Sequence, residues 1–297
     1  MPGMRIVIPT TFTDTSLPVL RDDPILTAGS LMLLEPSHPV GGLGAGVPTD
    51  SSSFYNIGWK EAAAVIGSGT SSSLSATVRV GGGINNGTKG KVERTALGAL
   101  HGIVSQSTAL ASGDGMWITL PTAIRDYIAA NPSHRYYYSQ WDRITRANTG
   151  MTGAAAVSGG VIGSDTSSYL VGIRQDIPMA PSGGADSSIN PSLNAVGERF
   201  ASIGNTANSS LGTSQTYSSG GVWGAPTGTY NAAVLSTRNN NWPSFVFRRS
   251  YLEDLTVSGR SIATVRAIDQ ALWNAVVNTT GGRQYGDTVP TSPSSIP

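Results

Sequence analysis

The stretch Phe245-Val246-Phe247-Arg248-Arg249-Ser250-Tyr251-Leu252-Glu253-Asp254-Leu255-Thr256-Val257-Ser258-Gly259-Arg260 decides the fold class. Phe245 to Leu255 is a run of aromatic, β-branched and aliphatic residues interleaved with polar ones, which is the signature of a long strand. Runs of the same kind recur upstream at Phe54 to Trp59, Leu74 to Val80, Gly102 to Ser107, Met116 to Leu120, Arg135 to Ile144, Tyr169 to Ile177 and Val234 to Ser236. Each is bounded by Gly, Ser, Asn or Pro, and many short strands with frequent turns point to a mainly β sandwich or jelly roll.

Two helices interrupt the pattern. Ile124, Tyr127 and Ile128 have helical spacing between Pro121 and Pro132, which predicts a short helix. Ile262, Val265, Ile268, Leu272 and Val276 form a longer apolar stripe, with Ser261 as N-cap and Gly281 past the end; a C-terminal helix over 261–278 packed on the sheet is the expectation.

Residues 1–50 read as an extended N-terminal arm, and 51–297 as the β-sandwich domain. The arm carries Ile6-Val7-Ile8, then Pro9, Pro18 and Pro24, a strand-like Leu31-Met32-Leu33-Leu34, then Pro36, Pro39 and the glycine-rich Gly41 to Gly46. Proline at this frequency forbids a long helix and disfavours central strands. Such a segment either docks on another molecule or wraps back along its own domain as an edge strand. Asn148 to Gly163, Pro178 to Ser192 and Asn205 to Gly228 are dominated by small and polar residues and read as long loops suited to contacts.

Composition narrows the function. The chain has 297 residues, 39% hydrophobic, with 37 glycines and a formal charge of +1. Only 12% of residues are charged, against about 25% in an average soluble protein. No broad electrostatic field is available for nucleic acid or an acidic membrane. The absence of cysteine removes disulfides, thiolate nucleophiles and cysteine-based metal sites. Neither a signal peptide nor a run of about 18 apolar residues is present, so folding in the cytosol is expected, and the sequons at Asn86, Asn208 and Asn278 read as chance matches.

The motifs that carry chemistry fail one by one. Val65-Ile66-Gly67-Ser68-Gly69 looks like a strand entering a phosphate-binding turn, but the third glycine is missing and Ser71 to Val80 reads as a strand where a helix is needed. Gly42 to Gly46 runs into Pro48 and fails likewise. No G-x-S-x-G elbow accompanies His38, His101 or His134, and no H-x-x-x-H or D-x-D-x-D-G is present. Neither catalytic residue, cofactor nor metal is therefore expected. Glu253 and Asp254 are the carboxylates a glycosidase could use, yet as neighbours on a strand they point to opposite faces, unlike a pair flanking one bond. A turn anchor, or pairing with Arg248, Arg249 or Arg260, is the expected role. Among the aromatics, Phe245 and Phe247 are assigned to the core, half of His134 to Trp141 to the core face, and Trp223 and Trp242, set among Gly, Asn and Pro, to an exposed binding surface.

The segment Phe245 to Arg260, with the helix running on to Val277, resembles the C-terminal part of bacteriophage virion proteins built on a concanavalin A-like (LamG or lectin-like) sandwich. Gly102 to Ser107 and Arg135 to Arg146, with Tyr-Tyr-Tyr-Ser-Gln-Trp-Asp-Arg, resemble paired strands of the same proteins. The resemblance implies a structural particle protein in many copies, either a capsid decoration protein or a tail, baseplate or fibre component. Its partners would be other copies of itself and other virion proteins. It transfers no catalytic residue, and the calcium-site acids of legume lectins have no counterpart here. An adhesin that binds host-surface glycan through Trp223 and Trp242, and a glycosidase on the same scaffold, are the alternative readings.

Overall fold

A computed structural model gives the structure of the protein and describes residues 21–81, 84, 87–107, 116–147, 157–162, 169–174, 177–179, 185–190, 195–205 and 243–297. The fold is mainly β, with antiparallel sheets and few helices.

The centre is a pair of long strands, β7 (Tyr136–Arg146) and β13 (Ser244–Asp254), which run antiparallel along their full lengths. They sit in a seven-stranded sheet ordered β11 (Ala185–Asn190), β12 (Gly197–Asn205), β7, β13, β5 (Leu100–Val104), β4 (Gly90–Arg94). The far edge of β13 is shared end to end. Its first part, Phe245 to Phe247, pairs with β5, and its second part, Ser250 to Glu253, pairs with β1 (Ser30–Leu34). Residues 30–34 of the expected arm are thus a fully buried strand of the main sheet; residues 1–20 lie outside the described residues. A second sheet holds β2 (Ser52–Phe54), β3 (Ala76–Val80) and β6 (Met116–Thr119), and a third holds β8 (Val157–Ile162), β9 (Tyr169–Arg174) and β10 (Ile177–Met179).

The main sheet is covered on both faces. On one face Tyr136, Tyr138, Ile144, Phe245 and Phe247 share a core with Phe54, Val78, Met116 and Ile118 of the second sheet and with Ile124 and Ile128. Phe54 meets Phe247 edge to face at 6.1 Å between ring centroids, a geometry that adds to the area buried. On the other face Tyr137, Tyr251 and Val265 form one cluster, and Trp141, Phe200, Val276 and Val277 another. The aromatic run of β7 is therefore buried on alternate sides, where one-sided burial was expected.

A β-bulge explains why Phe245 and Phe247 share a face with Leu252 despite their odd and even numbers. The register shifts between Phe247 and Arg249, leaving Arg248 as the extra residue. After it the side chains exchange faces, so Arg248 and Arg249 both project away from the Phe247 core.

Helix α1 (Trp59–Ile66) replaces the end of one expected strand. Its Lys-Glu-Ala-Ala-Ala run is strongly helix-forming. Gly67, at φ +85°, ends it in the left-handed conformation, its N–H donating to Ala63 O at 2.9 Å. The glycines that suggested a phosphate turn are thus a helix C-cap. Helix α2 (Thr122–Ala130) follows Pro121 as expected and buries Ile124 and Ile128. A single turn, α3 (Leu255–Ser258), is capped by Asp254, which accepts from the Thr256 and Val257 amides. Helix α4 (Ile262–Trp273) is capped by Ser261 through the Thr264 N–H and continues as a π-turn over Asn274–Asn278. The remaining tail crosses the sheet to Pro297. Strands β8, β10 and β11 fall in segments expected to be loops, and β4 and β12 were not anticipated. Backbone pairing, which side-chain patterns barely report in Gly-, Ser- and Ala-rich sequence, forms them.

Candidate functional site

Among the described residues many charges are turned inward, while Lys60, Arg79, Asp50 and Asp126 remain at the surface. Eight acidic residues among the described ones, Asp23, Glu35, Glu93, Asp142, Glu253, Asp254, Asp269 and Asp287, are buried, together with Arg199, Arg248, Arg249 and His101. Buried ions persist only when compensated, and Arg199, Arg248, Arg249 and His101 each meet a carboxylate, Arg249 through ion pairs and not hydrogen bonds. Arg199 meets Asp142 at 2.8 Å. Arg248 grips both oxygens of Glu198 at 2.8 and 2.9 Å and reaches Asp287 at 3.2 Å. Arg249 lies over the Trp141 ring, 4.5 Å from its centroid, and meets Asp23 at 2.7 Å. Burial pushes the Asp23 carboxyl up, but His38, Arg249 and the Ile25 N–H outweigh it and hold it at about 2. Asp269, in the apolar stripe of α4, accepts from the Tyr137 hydroxyl at 3.0 Å and the Trp141 indole at 2.9 Å. Burial raises its pKa despite those bonds.

Glu253 and Asp254 point apart, as their adjacency on a strand requires. Glu253 binds Arg260 at 2.5 Å and accepts from Tyr251 at 2.8 Å. Asp254 caps α3 and takes hydrogen bonds from Tyr127 at 2.8 Å and His134 at 2.6 Å. The two carboxylates belong to separate structural networks and do not face a common bond. Trp223 and Trp242 lie outside the described residues, as does Val234 to Ser236. Among the described residues no group of three or more His, Asp or Glu side chains is placed to hold a metal ion, and no helix is long and apolar enough to cross a membrane.

Several exposed turns carry large apolar side chains. The turn after β1, the β4–β5 turn and the tail are tied together at one end of the main sheet. Gln284 donates to Ser37 Oγ at 3.2 Å, the Leu97 amide to Asp287 at 2.8 Å, and Arg94 to the carbonyls of Leu43 and Gly44 at 3.0 Å each. These turns carry Val40, Val47, Leu97 and Tyr285, which are 50%, 48%, 41% and 46% exposed, four of the six exposed large apolar residues among the described ones. A hollow of about 350 Å3 opens beside them between residues 43–48 and Ser52–Ser53. Its lining holds no charged side chain, so it offers shape and backbone polarity and little else for a small ligand to grip.

One further cluster has no signal in the local sequence: His101 binds Glu93 through Nδ1 and Thr145 through Nε2, each at 2.9 Å. The three residues come from β4, β5 and β7, and their order in the sheet, which no local motif reports, brings them together. No protein-family model and no curated protein matches the chain.

Proposed function

We propose that this chain is a structural component of a bacteriophage virion, with a sandwich of the concanavalin A-like or jelly-roll kind, acting through contacts with other copies of itself and with other virion proteins. The observation that carries the reading is the partition of charge: ion pairs close inside the fold while Val40, Val47, Leu97 and Tyr285 stand out on turns at one end. An interface made there buries apolar area without stripping water from ions, the term that most often cancels the gain. Repetition in a lattice converts weak individual contacts into a strong whole. The resemblance of Phe245 to Arg260 and of Arg135 to Arg146 to virion proteins supports the same reading.

The test is the solution mass by light scattering of the full chain, a deletion of residues 1–20, and the double substitution Leu97→Ser with Tyr285→Ser. Deleting 1–50 would remove the buried strand β1 and confound folding with assembly. Association of the full chain that the double substitution abolishes, with an unchanged unfolding midpoint, is the expected result. A monomer at all concentrations that also fails to bind particles would refute the proposal.

A further inference from the structure

We propose that Thr145 is a nucleophile, activated by His101 and Glu93, that accepts the acyl group of a carboxylic ester. This goes beyond the assembly reading, and either can fail without the other. A hydroxyl within hydrogen-bond reach of an imidazole that is itself oriented by a third group is the geometry of covalent acyl transfer, and it is recognised by roles and not by chain order. Here the order is acid, base, hydroxyl, at positions 93, 101 and 145.

The hydrogen bonds set the tautomer. Besides His101, Glu93 accepts from the Thr291 amide at 3.0 Å and the Thr291 hydroxyl at 2.6 Å, and Lys91 stands 3.1 Å away. Burial pushes the Glu93 carboxyl up, but Thr291, His101 and Lys91 outweigh it and hold it at about 2. An ionised Glu93 can only accept, so His101 Nδ1 carries the hydrogen and Nε2 presents a lone pair to the Thr145 hydroxyl. Burial lowers the pKa of His101, against the hydrogen bond to Glu93, which favours the neutral ring a general base needs.

The same bonds also stitch three strands, and a buried histidine needs no more than a partner on each nitrogen. Two features exceed that need. Ser244 pairs with Arg146 and Phe245 with Ile144, so Thr145 is the extra residue of a second β-bulge, a device that re-aims side chains beside active sites. His101 is fully buried while Thr145 is partly exposed, so Thr145 is the most exposed of the three residues.

In the reaction the Thr145 proton passes to His101 Nε2 as Oγ bonds the acyl carbon. The ester C–O bond breaks, and the leaving alkoxide or phenoxide takes the proton from Nε2. Water then adds to the acyl-threonine, giving its proton to Nε2. The bond from carbon to Oγ breaks, the proton returns to Oγ, and the carboxylic acid leaves. Glu93 is a positioning residue throughout.

The full chain should be incubated with p-nitrophenyl acetate, following phenolate release and mapping the acetyl group by peptide mass. The wild type is expected to release phenolate and to carry acetyl on Thr145. Thr145→Val and His101→Gln should lose about 10²–10⁴-fold in rate, and Thr145→Ser should restore it. Glu93→Gln should lower kcat with KM unchanged and move the acid limb of the rate profile to lower pH. The charged groups acting on the ring are Glu93, Arg143 and Lys91, and of these only Glu93 favours its protonated form. Should His101→Gln fail to fold, the Val and Ser variants of Thr145 still decide. Release by the wild type no faster than by Thr145→Val, or acetyl on another residue, would overturn the proposal.

Discussion

Replacing Asp23 by Asn removes the carboxylate that stands 2.7 Å from the buried guanidinium of Arg249. A carboxyl held at about 2 in the folded chain and at 3.8 otherwise releases its proton more readily on folding. At about 1.4 kcal/mol for each pH unit of that difference, ionised Asp23 contributes about 2 kcal/mol of stability. Because the folded value is depressed, the contribution is present above pH 3.8 and is lost as pH falls through about 2. Substitution costs more than protonation at the same site only to the extent that Arg249 is left uncompensated, where losses reach about 3–5 kcal/mol. Glu35 at 3.8 Å and the Trp141 face remain, so about 3 kcal/mol is expected at neutral pH. Urea unfolding followed by tryptophan fluorescence from pH 7 down to 2 reads both quantities. The gap between wild type and Asp23→Asn should be widest at neutral pH and shrink by about 2 kcal/mol between pH 4 and 2. Glu93 titrates over a similar window, and taking the difference between the two proteins removes its effect. A gap that stays constant with pH would show that Asp23 is not the titrating partner and that Arg249 is neutralised otherwise.

Phe247→Ala should cost about 3–5 kcal/mol, because the ring is fully buried and meets Phe54 across the two sheets; a midpoint of urea unfolding within error of wild type would refute the shared core. Gly29→Ala drives a Cβ into the backbone oxygen of Asp254, where neither β13 nor the start of α3 can give way, and the melting temperature should fall by the equivalent of about 1–3 kcal/mol. Arg248→Met leaves Asp287 buried without its cation and should cost about 3–5 kcal/mol. It should also loosen the tail, seen as faster hydrogen exchange at the Ala96 and Leu97 amides, which bind Thr288 and Asp287.

Much of the frame was legible from local pattern. The runs Arg135 to Ile144 and Phe245 to Leu255 announce β7 and β13, because long strands buried on a sheet select aromatic and branched side chains. The stripe from Ile262 to Val276 announces α4, because a helix on a sheet repeats its apolar contacts every turn. The Glu253–Asp254 geometry also followed from alternation alone. Strands β4 and β12 did not, since Gly90 to Arg94 and Gly197 to Asn205 carry glycines and charges whose place in a sheet interior depends on partners from elsewhere. Helix α1 was hidden because Trp59 and Val65-Ile66 are β-prone types, and only the Gly67 cap and the packing resolve the ambiguity.

The sequence by itself determined that this chain is mainly β, poor in charge, free of cysteine and without a local catalytic motif, because those properties are sums or short-range patterns. The tertiary structure alone decided where the charges go, which strand pairs with which, and what two single-residue bulges do. Arg248 and Arg249 become internal cations only once Asp23, Glu198 and Asp287 converge on them. Glu93, His101 and Thr145 meet only because β4, β5, β13 and β7 lie side by side in that order. Convergence of residues far apart in the chain is a property of the sheet order, which no window of sequence contains.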